Sequence, residues 1–170
     1  MNLPRAQNRW DSGPMGKSDL TKSKFKKILS TQKKNIKSDS YYDFIAFDKK
    51  NGQIIGHVSI MDISRGIFQN GYLGYGVLSH NWGKGYGTEM SKAAFEIAFK
   101  TLKLHRLEAG IEHSNKRSIA LAKSLNMRKE GVSKRRLFLN EKWVDIALYA
   151  ITAEEFGVGG AKGDELTSRR

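Results

Sequence analysis

The chain has 170 residues, no cysteine, and a formal net charge of +13 from 30 Lys and Arg against 17 Asp and Glu. The length predicts one domain, and the absence of cysteine excludes disulfides, thiol catalysis and cysteine-ligated metal. Four dispersed histidines predict no metal site, and no segment approaches the roughly 20 apolar residues of a membrane span. We expect a soluble, cytoplasmic protein that favours anionic partners without membrane contact.

Three segments are predicted from composition. Residues 1–18 carry two prolines and two glycines without periodicity and read as an irregular arm, residues 19–156 as the folded domain, and residues 157–170 as a flexible tail. A basic amphipathic helix, capped by Ser18, is predicted next. Its inward stripe falls at helical spacing and consists of Phe25, Ile28, Leu29, Gln32 and Ile36. Two interpretations stay open: a solvated lysine face over a packed stripe, or a docking face for an acidic partner.

Three strands follow in the predicted order. The runs YYDFIAF and QIIGHVSIMDI flank Asn51-Gly52, a strong hairpin signal. A third strand, Gly71 to Leu78, is predicted to join the same antiparallel sheet after a turn at Asn70-Gly71. Its Gly74 and Gly76 indicate a bulge or a close ligand.

A glycine-rich loop, HNWGKGYGTEM, leads into the clearest helix of the sequence, whose inward positions are Met90, Ala93, Ala94, Ile97 and Ala98. The run HRLEAGIE then predicts a strand parallel to the one before the loop, which makes a βαβ unit. A short helix from Lys116 to Leu125 follows, with inward residues Ile119, Ala122 and Leu125. Two last strands, Gly131–Leu139 and Lys142–Ile151, meet at a turn around Asn140.

The glycine loop is suited to phosphate. A loop that feeds a helix N-terminus presents unpaired N–H groups and the positive end of the helix dipole, and Lys84 adds a charge. The Walker pattern fails because Gly85 follows Lys84 and position 78 is leucine. The dinucleotide pattern G-x-G-x-x-G fails because the spacing is Gly83, Gly85, Gly87.

The strand, the loop NWGKGYGTE, the helix and the run RLEAGIEHSNKRSIALAKSLNMRKEG resemble the GCN5-related N-acetyltransferase (GNAT) family, particularly its ribosomal-protein N-terminal acetyltransferases. The family loop [QR]-x-x-G-x-[GA] is matched from Trp82 to Gly87, with Trp82 in place of Arg or Gln. The resemblance covers Tyr42 to Ile151. It implies an α+β fold with a mixed, mostly antiparallel sheet, a central βαβ unit and flanking helices.

The family comparison also shows where this sequence departs from the family pattern, and the resemblance implies a cosubstrate. Family members usually begin with a strand and a helix, and residues 1–18 do not supply both, so the first strand is expected to be missing. Asn126-Met127 stands where relatives often have Gly-Phe, and asparagine tolerates the left-handed conformation. The cosubstrate is expected to be acetyl-CoA, without a metal.

Carried over residue by residue, the resemblance places the pyrophosphate of acetyl-CoA on the amides of Gly83, Lys84, Gly85, Tyr86, Gly87 and Thr88. It places the pantetheine against the backbone of Gly76, Val77 and Leu78, the CoA arm against Asn115, and Ser118 near the sulfur as a proton donor. The alternatives are a ligand-free glycine turn, and helix capping by Ser114, Asn115 or Ser118.

No residue stands out as a general base. The candidates by position are Glu108, Glu112, His80 and His113, and each is expected to be structural or solvated. Leu137 occupies the position at which some relatives offer a glutamate, and Asp145 is assigned to structure.

The sequence therefore predicts an acetyl-CoA-dependent N-acetyltransferase. The acceptor is expected to be a primary amine, either the N-terminal amine of a ribosomal or other protein or a small molecule. The alternative is a non-catalytic basic module that binds RNA or ribosomes on a retained CoA-binding fold. Sequence-specific nucleic-acid recognition is not expected, and a homodimer is left open.

Overall fold

The structure is a computed structural model that describes residues 21–139 and 141–159. The predictions for the N-terminal arm, the turn at Asn140 and most of the tail lie outside the described residues. The predicted Ser18 cap is wrong, because the N-cap of the first described helix is Thr21. The elements in chain order are α1 (Lys22–Lys37), β1 (Tyr41–Phe47), β2 (Ile54–Ser64), β3 (Asn70–Val77), α2 (Tyr86–Glu96), β4 (Arg106–Glu112), α3 (Lys116–Ser124), β5 (Arg128–Leu139) and β6 (Lys142–Thr152).

The six strands form one mixed sheet in the order β1-β2-β3-β4-β6-β5. The pairing of β3 with β4 is parallel, and the other four pairings are antiparallel. The hairpin at Gly52, whose φ is +69°, and the βαβ unit β3-α2-β4 are both confirmed. Strand β1 forms one edge of the described sheet, and the expected absence of an earlier strand concerns residues outside the described ranges.

The turn between β2 and β3 differs from the prediction. Asn70 lies inside β3, where it pairs with Ser64 and Arg106, and the turn instead contains Gly66 at φ +66°. The Asn-Gly signal is local, and pairing to strands on both sides overrides it. Of the two alternatives for Gly74 and Gly76, the bulge is wrong, because the register of β2 with β3 shifts between Met61 and Ser64. A close ligand at these glycines stays a prediction.

The core lies between the sheet and α2. Phe95 is fully buried, and its ring makes an edge-on contact with Phe156 at 5.5 Å between centroids. Ala93 was predicted to face inward and is exposed. A five-residue π turn, Ile97–Thr101, extends α2; Ala98 and Phe99 in this turn are buried.

Helix α1 packs less tightly than expected. Thr21 caps it, and the Lys24 amide donates to Thr21 Oγ1 at 3.2 Å. None of its residues is buried, and Phe25 is 59% exposed, so the packed apolar stripe is wrong for the described part of the chain. The docking interpretation stays a prediction. Across the described ranges, every helix is too short or too polar to cross a membrane.

Candidate functional site

Strands β3 and β4 separate soon after they begin. They pair over three residues, Asn70–Tyr72 with Arg106–Glu108, and the rest of β3 has β2 as its paired neighbour. The glycine loop follows β3, and α3 follows β4. The two connections therefore lie at the mouth of the gap that opens between the strands.

The glycine loop is built to leave amides free. Gly83 and Gly85 take φ values of +74° and +82°, which glycine adopts without strain. Helix α2 starts at Tyr86, and its first i to i−4 bond runs from the Glu89 amide to the Gly85 carbonyl at 3.1 Å. The amides before Glu89 thus lie outside the helical ladder and carry the positive end of the dipole.

A cavity of about 900 Å³ lies beside this loop. Its wall brings together nine of the eleven predicted site residues, from β3, the loop and α3: Gly76, Val77, Leu78, Gly83, Gly85, Tyr86, Gly87, Asn115 and Ser118. Lys84 and Thr88 adjoin the wall without forming part of it. The Lys84 ammonium donates to Asn81 Oδ1 at 3.2 Å. The loop and the N-terminus of α3 therefore share one cavity.

Trp82 and Arg117 join the loop to α3. The Trp82 indole N–H donates to the Val77 carbonyl at 2.8 Å, and the Arg117 guanidinium carbon lies 4.0 Å from the centroid of the Trp82 ring. Both residues line the cavity. Trp82 stands where the family loop has Arg or Gln. The Arg117 guanidinium of α3 packs over the Trp82 ring. Arg117 cannot be predicted as a site residue from the sequence, because nothing in the spacing shows that α3 reaches Trp82.

Some backbone groups at the end of β3 already have hydrogen-bond partners. The Leu78 amide donates to the Ile55 carbonyl at 2.9 Å, and the Val77 carbonyl accepts from Trp82. Alternate residues of an antiparallel strand turn their N–H groups to opposite sides. The Val77 amide therefore points away from β2, toward the gap, whereas the Leu78 amide is already paired.

Asn115 begins α3. Its side-chain oxygen accepts from the Ser118 amide at 3.1 Å, which makes Asn115 the N-cap. Capping by Asn115, one of the predicted alternatives, is therefore present, and it coexists with a position in the cavity wall. The cap fixes the first turn of α3, which carries Ser118 into the same wall.

Tyr75 also lines this wall, and nothing in its sequence context predicts a chemical role for it. Its hydroxyl oxygen is buried and has no hydrogen-bond partner among the described residues. Burial raises the pKa of Tyr75, and the neighbouring Ser118 hydroxyl opposes that rise. The Tyr75 and Ser118 hydroxyls are therefore neighbours, and both residues line the cavity.

The candidate bases lie elsewhere. Glu108 accepts from Arg106 Nε at 2.8 Å and from Asn70 Nδ2 at 3.4 Å. Although burial opposes it, hydrogen bonding by Arg106 and Tyr72 lowers the pKa of Glu108. Neither Glu108 nor His80, His113 or Glu112 lines the cavity. Asp145 accepts from the Arg135 amide at 2.8 Å, which agrees with its structural assignment.

Glu108 should stabilise the fold in a pH-dependent way. Because its pKa is lowered in the folded state, its contribution is present above the unfolded pKa of about 4.3 and is lost as the pH falls through the folded value. We expect Glu108→Gln to lower the free energy of unfolding by about 1–2 kcal/mol at pH 7, and the difference from wild type to shrink by pH 3. Urea unfolding at the two pH values measures this.

Glu96→Gln is the matched control for that prediction. Glu96 is 59% exposed and lies 3.5 Å from Lys100 one turn along α2, and exposed pairs of this kind contribute about 0.3–0.5 kcal/mol. An equal effect of the two substitutions at pH 7 would contradict the role given to Glu108.

Comparison with known proteins gives a consistent result. A sequence model described as acetyltransferase (GNAT) domain matches residues 2–128. The chain is 32% identical over 126 residues to the probable N-acetyltransferase YjcK of Bacillus subtilis, covering 74% of this chain and 70% of that protein. It is 34% identical over 123 residues to the [ribosomal protein uS5]-alanine N-acetyltransferase of Escherichia coli, covering 72% and 63%. The match therefore spans less than two thirds of the E. coli protein.

Two solved structures agree in fold. The ribosomal-protein-S5-alanine acetyltransferase from Vibrio fischeri has a TM-score of 0.77 at 28% identity, covering 87% of this chain and 80% of that one. Mycobacterium smegmatis RimJ, in complex with CoA-disulfide, has a TM-score of 0.75 at 28% identity, covering 82% and 66%. A spermidine N-acetyltransferase from Vibrio cholerae, at 20% identity and a TM-score of 0.69, shares the fold.

Proposed function

This chain belongs to the GNAT family of acetyltransferases, and from that premise we propose that it transfers the acetyl group of acetyl-CoA to a primary amine. The acceptor we propose is the N-terminal α-amine of a ribosomal or other protein. The observation that supports the activity most strongly is that the amides from Gly83 to Thr88, which donate no backbone hydrogen bond to the described part of the chain, lie beside a cavity of about 900 Å³. No metal takes part in the proposed reaction.

The loop would hold the pyrophosphate of acetyl-CoA. Its amides from Gly83 to Thr88 are the donors, and the dipole of α2 adds a favourable potential for an anion. Lys84 lies beside them, and Arg117 reaches the same cavity from α3. Glycine at position 87 lets α2 approach α3 closely, because a Cβ at this position would lie 3.2 Å from Leu121 Cδ2.

The pantetheine arm would lie along the end of β3. Gly76, Val77 and Leu78 all line the cavity, and among the three the Val77 amide faces the gap. Gly76 and Leu78 would contact the arm without necessarily donating to it, and Asn115 borders it from α3. This path leads the thioester toward Ser118 and Tyr75.

The reaction would be a direct acyl transfer. The amine nitrogen attacks the carbonyl carbon of the thioester, a C–N bond forms, and the C–S bond breaks with its electron pair going to sulfur. The amine nitrogen gives up one proton as the C–N bond forms. The Ser118 hydroxyl, with Tyr75 beside it, supplies the proton that the sulfur takes up and regains one from solvent. The absence of cysteine fits a mechanism without a covalent thioester on the enzyme.

An α-amine is the acceptor that the chemistry favours. With a pKa of about 7.7–8.0 it costs about 1 kcal/mol to deprotonate at pH 7, whereas a lysine side chain of pKa about 10.4 costs about 4.6 kcal/mol. The named activity of the E. coli and V. fischeri relatives on an alanine of a ribosomal protein supports the same choice.

Calorimetry and a thiol assay test the proposal together. We expect saturable acetyl-CoA binding, and CoA release with a peptide that starts with a free alanine but not with its Nα-acetylated form, even if that peptide contains lysine. Because the chain has no cysteine, a thiol reagent detects only CoA. Failure to bind acetyl-CoA would refute the function. CoA release with spermidine but not with the alanine peptide would show that the acceptor is a small amine. Binding of acetyl-CoA without turnover would favour the non-catalytic alternative.

A further inference from the structure

His57 lines the cavity beside the end of β3. It is on β2 and pairs with Gly76. A Cβ placed on Gly76 would lie 2.6 Å from His57 Nε2, so the imidazole lies directly over the glycine on the same face of the sheet. The His57 side chain is 47% exposed, which leaves it accessible to a molecule that approaches from outside.

Asp43 on β1 faces the other nitrogen of this ring. Its Oδ1 lies 3.8 Å from His57 Nδ1, is buried, and has no hydrogen-bond partner among the described residues. Its Oδ2 accepts from Gln32 Nε2 of α1 at 3.5 Å, which is a neutral contact. Asp43 is thus the charged group that faces His57 from β1, and Gly76 meets the ring from β3. A carboxylate behind an imidazole is the arrangement that orients a base.

His57 and the hydroxyl pair lie on opposite sides of β3. The Val77 side chain points to the side on which α2 and α3 pack, because its Cγ2 and the Leu121 methyls surround Gly87. Tyr75, two residues earlier, points to that same side, where it neighbours Ser118. Gly76 and His57 are on the other side. The cavity includes residues of both sides, so a thioester at the end of β3 would have a proton donor on one side and an imidazole on the other.

We propose that His57 is the general base of the reaction, oriented by Asp43, and that the acceptor amine approaches from the His57 side of β3. As the C–N bond forms, the amine nitrogen loses one proton to His57 Nε2, while the sulfur gains one from the Ser118 and Tyr75 side. Solvent then takes the proton from the imidazole and restores the hydroxyl. This inference rests on the proposed acetyl transfer from acetyl-CoA.

His57→Gln, assayed with acetyl-CoA and the alanine-initiated peptide, tests the assignment. We expect kcat to fall about 100-fold while the Kd for acetyl-CoA, measured by calorimetry, stays within about two-fold. Asp43→Asn should lower kcat about 10-fold with the KM for acetyl-CoA unchanged, as expected for a positioning residue. In His57→Ala, added imidazole should restore part of kcat, which a purely structural histidine would not allow.

His105→Gln is the matched control. His105 is 45% exposed and its Nε2 lies 3.2 Å from Glu154, so it is also an exposed histidine beside a carboxylate, yet it lies outside the cavity. We expect its kcat to equal that of wild type. A His57→Gln enzyme that binds acetyl-CoA and keeps kcat within about two-fold of wild type would overturn the role of His57 and leave the proposed function standing. A wild-type chain that does not bind acetyl-CoA would instead remove the proposed function itself.

Discussion

Gly85→Glu is expected to abolish detectable acetyl-CoA binding, with a loss of at least about 100-fold in affinity. Gly85 caps α2, and the amides that follow it are the proposed pyrophosphate donors. A carboxylate on the cap would place a negative charge among these donors and compete with the pyrophosphate for them. Apart from its chain neighbours, no described residue has an atom within 4 Å of a Cβ at this position, so the substitution does not collide with the described part of the fold. Isothermal titration of acetyl-CoA measures the effect.

Gly66→Glu is the control that distinguishes the effect of a negative charge at the site from the effect of backbone strain. Gly66 has a φ of +66°, and among the described residues only its chain neighbours come within 4 Å of a Cβ placed on it. It lies in the turn before β3, at the opposite end of that strand from the loop. Both variants pay the cost of a side chain in the left-handed region, about 1–2 kcal/mol. We expect equal losses of stability but normal acetyl-CoA binding in Gly66→Glu. Equal binding by Gly85→Glu and wild type would contradict the loop assignment.

Tyr75→Phe is expected to lower kcat about 10- to 100-fold without lowering stability. The Tyr75 hydroxyl is buried without a partner among the described residues, and such a group costs about 1–3 kcal/mol. Its removal should therefore leave the free energy of unfolding unchanged or raise it by about 1 kcal/mol. A slower yet equally stable enzyme would show that the hydroxyl serves the departing thiolate. Turnover assays combined with urea unfolding measure both effects.

Ser118→Ala and Tyr72→Phe complete that experiment. If Ser118 and Tyr75 act as one donor pair, the double substitution should cost less than the product of the two single effects. Tyr72 is on the same strand, but its hydroxyl accepts from Arg136 at 2.9 Å and it does not line the cavity. We expect Tyr72→Phe to keep kcat. A loss of turnover in Tyr72→Phe as large as that in Tyr75→Phe would point to a general effect on the sheet.

The features that the sequence predicted well are local. Asn51-Gly52 marks the first hairpin, and helical periodicity marks α2 and α3, because turn chemistry and burial act over a few residues. Asn126 adopts the expected left-handed conformation at φ +58°. The glycine loop was placed correctly between β3 and α2 for the same reason, since its signal lies within eleven consecutive residues.

The features that the sequence did not predict depend on contacts between distant segments. Asn70-Gly71 has the local signal of a turn, yet pairing with β4 holds Asn70 in a strand. Arg117 meets Trp82 across the cavity, and His57 meets Asp43 through the register of β1 with β2. The alternation of side chains along each strand does not show that Asp43 and His57 share a face of the sheet until the register of the two strands is known.

The most direct test of the central claim is a crystal structure of the chain with CoA. We expect oxygens of the pyrophosphate within about 2.7–3.2 Å of the amide nitrogens between Gly83 and Thr88, and the sulfur next to Ser118 and Tyr75. A pyrophosphate bound away from these amides, or a loop whose amides are filled by the protein's own atoms, would contradict the claim.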